Sequence, residues 1–397
     1  MPGKRWGYTR LLPGLTRLGN KLYLTALCTQ HYKTLPLPFH SIMSLSIYRL
    51  SIPKKGLLPA RPSTFFRCHW LSLSPSSLQR FIMSQTSLPS VPVQHQDLLK
   101  HIQSNKETDM IDLFKPYNEY DAVLRRVFAQ EPAHPALKNN HLNLVPVYDN
   151  KGSTNARVRA RDLESEPPEL KEKYLLPLNP ENRKPNGSPA VVQTLLEFQN
   201  NFNLFTEGSL SDIDWSNIVV AGSAVVTCLM PVPEKYRDSK RSMRQFYHEE
   251  FAPASDVDLF LYGLTEEQAI EKIRHIEKAI QGSILQETTT IRTKNTITIA
   301  SQYPTRHVQI VLRIYKSIAE ILTGFDVDCS CAAYDGKQVY VAPRALASYI
   351  TQVNQIDLTR RSPSYENRLS KYSHRGFEVF WPGLDRSRID PVSVPCA

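Results

Sequence analysis

Across its first 96 residues this 397-residue chain has no aspartate or glutamate at all. The same stretch holds 12 of the 48 lysines and arginines, so the formal charge of +10 is concentrated there. The remainder carries 36 basic against 38 acidic side chains. A body so close to neutral excludes a general polyanion-binding surface as the meaning of the total charge. Cysteine is scarce, with six residues and no paired C-x-x-C. Cys329 and Cys331 form a C-x-C without a suitably spaced histidine, which argues against zinc and for small buried side chains. Cys28 and Cys68 lie in the basic leader, and Cys396, second from the end, is not placed for prenylation. An intracellular, reducing compartment fits this usage. No apolar run approaches the ~20 residues of a membrane helix, so no membrane partner is expected.

The chain divides by composition into four stretches. Residues 1–82 are basic and rich in Ser, Leu and Pro. They have the composition of a mitochondrial transit peptide. The preferred alternative is sequence upstream of a start at Met83-Ser84-Gln85. The expected location is then cytoplasmic or nuclear, and mitochondrial if the leader is real. Residues 83–188 read as mostly irregular with short helices, including a loose helical rhythm over Met110–Phe128. Residues 189–357 carry the patterned core. Residues 358–397 read as a polar, aromatic tail, a candidate contact for a protein partner.

Within the core, Pro189–Phe205 has the spacing of an amphipathic helix. Ile218–Ala221 predicts a strand and Ser223–Met230 a short helix. Pro231–Ala254 is a charged, aromatic insertion. Asp256–Tyr262 predicts a second strand. Thr265 opens a helix with a capping box, since Gln268 stands three residues on, and Gly282 ends it. Thr/Ile/Val-rich strands follow at about 288–293, 295–300 and 307–314. Phe325–Ala333 and Gln338–Val341 read as strands joined across Asp335-Gly336. The fold class is α+β: a mixed sheet flanked by helices, with an irregular N-terminal region.

Two short motifs carry the chemistry. Val219-Val220-Ala221-Gly222-Ser223-Ala224 is an apolar strand ending in Gly-Ser and opening a helix, an arrangement that suits phosphate oxygens. Ser255-Asp256-Val257-Asp258-Leu259-Phe260 places two carboxylates on one strand face, because side chains alternate. Such a pair repels itself and needs cations; Mg²⁺ or Mn²⁺ with a nucleoside triphosphate would supply them. Arg313, in an otherwise apolar strand, is a further phosphate candidate. The cations Lys235, Arg237, Lys240, Arg241 and Arg244 of the insertion are read as a solvated loop balanced by neighbouring carboxylates.

Over Asn217–Ile350 these motifs resemble the nucleotidyltransferase superfamily, the DNA polymerase beta-like fold. From Trp215 to Tyr262, with its long insertion, the chain is similar to an uncharacterised group of fungal proteins, some with ankyrin repeats; no ankyrin period is present here. The resemblance implies transfer of a nucleoside monophosphate from an NTP such as ATP to a hydroxyl acceptor on RNA, protein or a small molecule. Asp256 and Asp258 would hold the metals, and Gly222 and Ser223 the triphosphate. The family's third carboxylate would fall where this chain has Gln309. Asp326 and Asp328, a second Asp-x-Asp, either complete the site or order a turn. With Gln309 in place, a catalytically silent binding or regulatory module is the alternative.

Overall fold

The computed structural model describes residues 85–388. The expected leader, residues 1–82, lies outside the described residues, as do Cys28, Cys68 and Cys396. The described chain is a mixed α+β structure of eleven strands. These are β1 (Val145–Pro146), β2 (Tyr174–Leu176), β3 (Ile218–Ala221), β4 (Val257–Tyr262), β5 (Thr289–Arg292) and β6 (Thr296–Ala300), then β7 (Val308–Tyr315), β8 (Ala332–Tyr334), β9 (Val339–Val341), β10 (Val353–Gln355) and β11 (Glu378–Phe380). Eight of them form one sheet in the order β1-β9-β8-β3-β4-β7-β6-β5, and β10-β11-β2 form a second. In the large sheet β4 and β7 run parallel while β3–β4, β6–β7 and β5–β6 are antiparallel.

Alternation along the strands divides the apolar residues between two layers. Val257, Leu259, Val308 and Ile310 belong to the main core, together with Ile276 and Ile280 of the helix Glu266–Ser283. That helix begins at the predicted capping box between Thr265 and Gln268. Val219, Ala221 and Phe260 face the other way, onto the helix Ile318–Thr323. Asp256 and Asp258 alternate with Val257 and Leu259, so they share the Phe260 face.

One hairpin shows how local sequence locks the sheet. Asp335-Gly336 joins β8 to β9, as the turn signal predicts, and Gly336 has φ +89°. A Cβ there would sit 2.3 Å from the Trp215 ring. That ring packs edge-on against Tyr334, centroids 5.2 Å apart, beside Phe202.

The flanks differ from the sequence reading. Within 83–188 the helix Met110–Gln130 spans 21 residues and buries Leu113, Phe114 and Tyr117 in the main core. Residues 358–388 are not a free tail. A helix, Tyr365–Ser373, has Tyr365, Leu369 and Tyr372 buried, and Phe377 and Val379 follow them into the same core. Those five side chains are therefore committed to the core. No helix among the described residues is long and apolar enough to cross a membrane.

Burial of each such side chain is worth about 1.5–3 kcal/mol. Five of them rival the whole net stability of an ordinary domain, about 5–15 kcal/mol. A chain ending at Asp357 is therefore expected to lose its cooperative thermal transition. Calorimetry checks this; an unchanged transition would show that residues 358–388 are dispensable to the fold.

Candidate functional site

The two sequence motifs meet at the centre of the large sheet. β3 and β4 pair through Val220 and Leu259, so Gly222, at the end of β3, emerges beside Asp258. Gly222 has φ +82°, a conformation that L side chains resist, and its amide donates to the Ala332 carbonyl at 2.9 Å. The helix Ser223–Leu229 follows at once. The hydroxyls of Ser223 and Ser255 lie 2.8 Å apart, which ties the Gly-Ser turn to the residue preceding Asp256.

Asp258 is held in a poorly hydrated position. Burial, reinforced by the neighbouring Asp256 charge and opposed by Lys371, raises its pKa to about 6. Among the described residues neither Asp256 nor Asp258 forms an ion pair, whereas Asp326 and Asp328 both do. Gln309 stands directly across from Asp258 in the parallel β4–β7 ladder, and its amide donates to Asp256. Gln309 thus sits beside the pair and hydrogen-bonds one member of it. No group of three His, Cys, Asp or Glu able to hold a metal occurs among the described residues.

The second Asp-x-Asp is not on a strand. Phe325–Val327 form a bend and Asp328–Ser330 a single 3₁₀ turn. Asp326 accepts from Arg368 and from the Ser362 hydroxyl at 2.9 Å. Burial works against its charge, but Arg368 and Ser362 outweigh it and hold the carboxyl below its usual range. Asp328 accepts from Arg344 at 3.2 Å and from the Gln355 amide at 2.8 Å. Arg344, itself buried, also donates to the Phe325 and Leu322 carbonyls. Both carboxylates are paired with arginines and order the polypeptide around the C-terminal segment. Arg313 is away from the Asp256–Asp258 pair. It lies four residues beyond Gln309, about 13 Å along β7, is exposed, and pairs with Glu320 at 2.9 Å. Cys329 and Cys331 are buried and free, as their spacing predicts.

Three cations near the acidic pair escape the sequence reading. Arg306 is buried and donates to four carbonyls: Phe205 at 3.2 Å, Ala252 at 2.8 Å, Ser255 at 2.9 Å and Tyr247 at 2.9 Å. It also lies 4.0 Å over the Phe205 ring. Arg375 donates to Ser223 at 2.7 Å and Thr227 at 3.3 Å. Lys371 is close enough to Asp258 for each to perturb the other. No local sequence signal joins these two, since Lys371 lies in the last turn of the helix Tyr365–Ser373 and Arg375 beyond its end.

A model of the family described as Gad2, Gabija anti-defense 2 family protein, matches residues 196–352. That span contains β3, β4 and β7 and stops short of Lys371 and Arg375. The chain is 31% identical over 225 residues to the uncharacterized protein R883 of Acanthamoeba polyphaga mimivirus. The alignment covers 52% of this chain and 45% of that protein, so the chain spans less than half its relative's length.

Arg306 ties together the end of one helix, the insertion and the turn before Asp256. Arg306→Leu would leave the Phe205 and Ser255 carbonyls without a donor, each costing about 1–3 kcal/mol, and would take one donor from the Tyr247 and Ala252 carbonyls, which keep backbone bonds. The expected loss is about 3 kcal/mol in urea unfolding, with Arg306→Lys intermediate. A loss within experimental error in Arg306→Leu would contradict the clamp.

Proposed function

We propose that this protein is a divalent-metal-dependent nucleotidyltransferase. It would move a nucleoside monophosphate from an NTP to a hydroxyl acceptor, forming a bond from the acceptor oxygen to the α-phosphorus and releasing pyrophosphate. The observation that carries this reading is the Asp256–Asp258 pair, two crowded carboxylates on one strand face that form no ion pair among the described residues, beside the Gly222-Ser223 turn. Hard oxygen donors of this kind fit Mg²⁺ or Mn²⁺. A divalent ion bound there would offset the carboxylate repulsion and lower the pKa of an attacking hydroxyl.

In this reading Asp256 and Asp258 hold the cation. Gly222 lets the backbone approach a phosphate, and Ser223 adds a hydroxyl. The Arg306 clamp fixes the turn from which Asp256 projects. Asp326, Asp328 and Arg313 have no part in it, because each already has a partner of opposite charge.

One observation favours a second reading, a catalytically silent module of the same fold. Gln309 donates to Asp256 where a third carboxylate is expected, and an amide serves poorly as a metal ligand and not at all as a base. The anti-defense role in the matched family's name is compatible with both readings and favours neither.

The test is thermal stability with each NTP, with and without Mg²⁺, for the wild type and for Asp256→Asn/Asp258→Asn. A ligand at 100 times its dissociation constant adds about 2.7 kcal/mol. A Mg²⁺-dependent rise of several degrees is expected, absent in the double variant; no rise with any NTP would contradict the enzymatic reading. Gln309→Asp separates the two readings further. If the pair binds metal, the added carboxylate should tighten Mg²⁺ roughly tenfold or more, about 1.4 kcal/mol. Unchanged Mg²⁺ dependence in that variant would favour the silent module.

A further inference from the structure

A cavity of about 890 Å³ lies beside the helix Ser223–Leu229, reaching from Arg375 to Met230. Its walls combine an apolar body with an excess of positive charge. Met230, Val232, Phe246, Phe251 and several prolines supply the first. Lys184, Arg237, His374 and Arg375 supply the second, against the single carboxylate of Glu181. Arg375 is the informative member. It is 9% exposed, and one of its terminal nitrogens is spent on Ser223 and Thr227. Its other two nitrogens have no hydrogen-bond partner among the described residues, and the side chain lines the cavity. Those two nitrogens are open to the cavity and can donate to an anionic acceptor there. Lys184 donates to the Ala190 carbonyl at 3.0 Å and lies 3.7 Å from the Met230 sulfur, so it too has no anionic partner.

We propose that this cavity binds an anionic small molecule with an apolar body, an organic phosphate, held by Arg375, Lys184, Arg237 and His374 without a divalent ion. The phosphate would take the open donors of Arg375 and the apolar body would lie along Met230 and Phe251. Arg375 also grips Ser223, so occupancy would be felt at the Gly-Ser turn. The inference stands on this cavity alone and does not depend on the nucleotidyltransferase reading.

Pyridoxal 5′-phosphate is a suitable probe, because it joins a phosphate and an apolar ring to an aldehyde. Loss of water around the Lys184 ammonium draws its pKa down to about 8, so a neutral amine is accessible in mild base. That amine and the aldehyde form an imine with release of water, and borohydride reduces the imine to a stable secondary amine. The full chain would be treated in EDTA and the adduct located by peptide mass mapping. Lys184 should be labelled roughly tenfold faster than by pyridoxal, which lacks the phosphate, as one charge-assisted contact implies. Inorganic pyrophosphate and Arg237→Gln should each slow the labelling. Asp256→Asn/Asp258→Asn should leave it unchanged. Lys184→Arg should abolish the adduct but keep stabilisation by pyrophosphate in EDTA. Equal labelling by the two aldehydes, or labelling spread over surface lysines with Lys184 no faster, would overturn the proposal. So would loss of labelling in the double aspartate variant, because the phosphate would then belong to the acidic site.

Discussion

Arg306 is the contact on which the geometry of the acidic strand depends. Its guanidinium gathers carbonyls from the end of the helix Leu195–Phe205, from the insertion and from the turn before Asp256. A buried guanidinium is costly unless its donors are met, and here four carbonyls meet them. The reciprocal benefit is a rigid approach to β4. The insertion, which separates the Gly-Ser turn from the acidic pair by some thirty residues of sequence, is thereby prevented from blurring their relative position in space.

Around that anchor the sheet sorts charge by face. Alternation sends Val257 and Leu259 into the main core and leaves Asp256 and Asp258 on the face shared with Phe260. The parallel ladder to β7 then sets Gln309 beside them. The C-terminal segment adds the cations, with Lys371 of the helix Tyr365–Ser373 near Asp258 and Arg375, in the turn after it, on Ser223. Polar residues from three regions distant in sequence thus converge on one point of the sheet. The matched family span, residues 196–352, includes the strands but not the helix that completes this surround.

Much of the fold was legible because the signals were local. The Thr265–Gln268 capping box, the alternation of β4 and the Asp335-Gly336 turn each depend on neighbours within a few residues, and all three are present. The failures share one cause. Phe325–Cys331 looks like an apolar strand bearing two aspartates, but Arg344 and Arg368, 16 and 42 residues away, hold those aspartates in a turn. The C-terminal stretch looked polar as a whole, yet Tyr365, Leu369 and Tyr372 sit at helical spacing and bury together. Arg313 was a phosphate candidate because its neighbours are apolar, but it is exposed and Glu320, seven residues on, takes the charge. The proximity of Asp256 and Asp258 to the Gly-Ser turn and to Gln309 was readable. Arg306, Lys371 and Arg375 were not, since nothing near them in sequence shows which carbonyls or hydroxyls they will meet.

The central claim is that Asp256 and Asp258 form a divalent-cation site on β4. Electron paramagnetic resonance of Mn²⁺, titrated with the protein in the presence of an unreactive NTP analogue, measures that directly. The account predicts that free Mn²⁺ signal falls with wild-type protein and is restored with Asp258→Ala, which removes one donor and leaves Arg306 and the fold in place. Equal Mn²⁺ binding by the two proteins, or none by either, would contradict it.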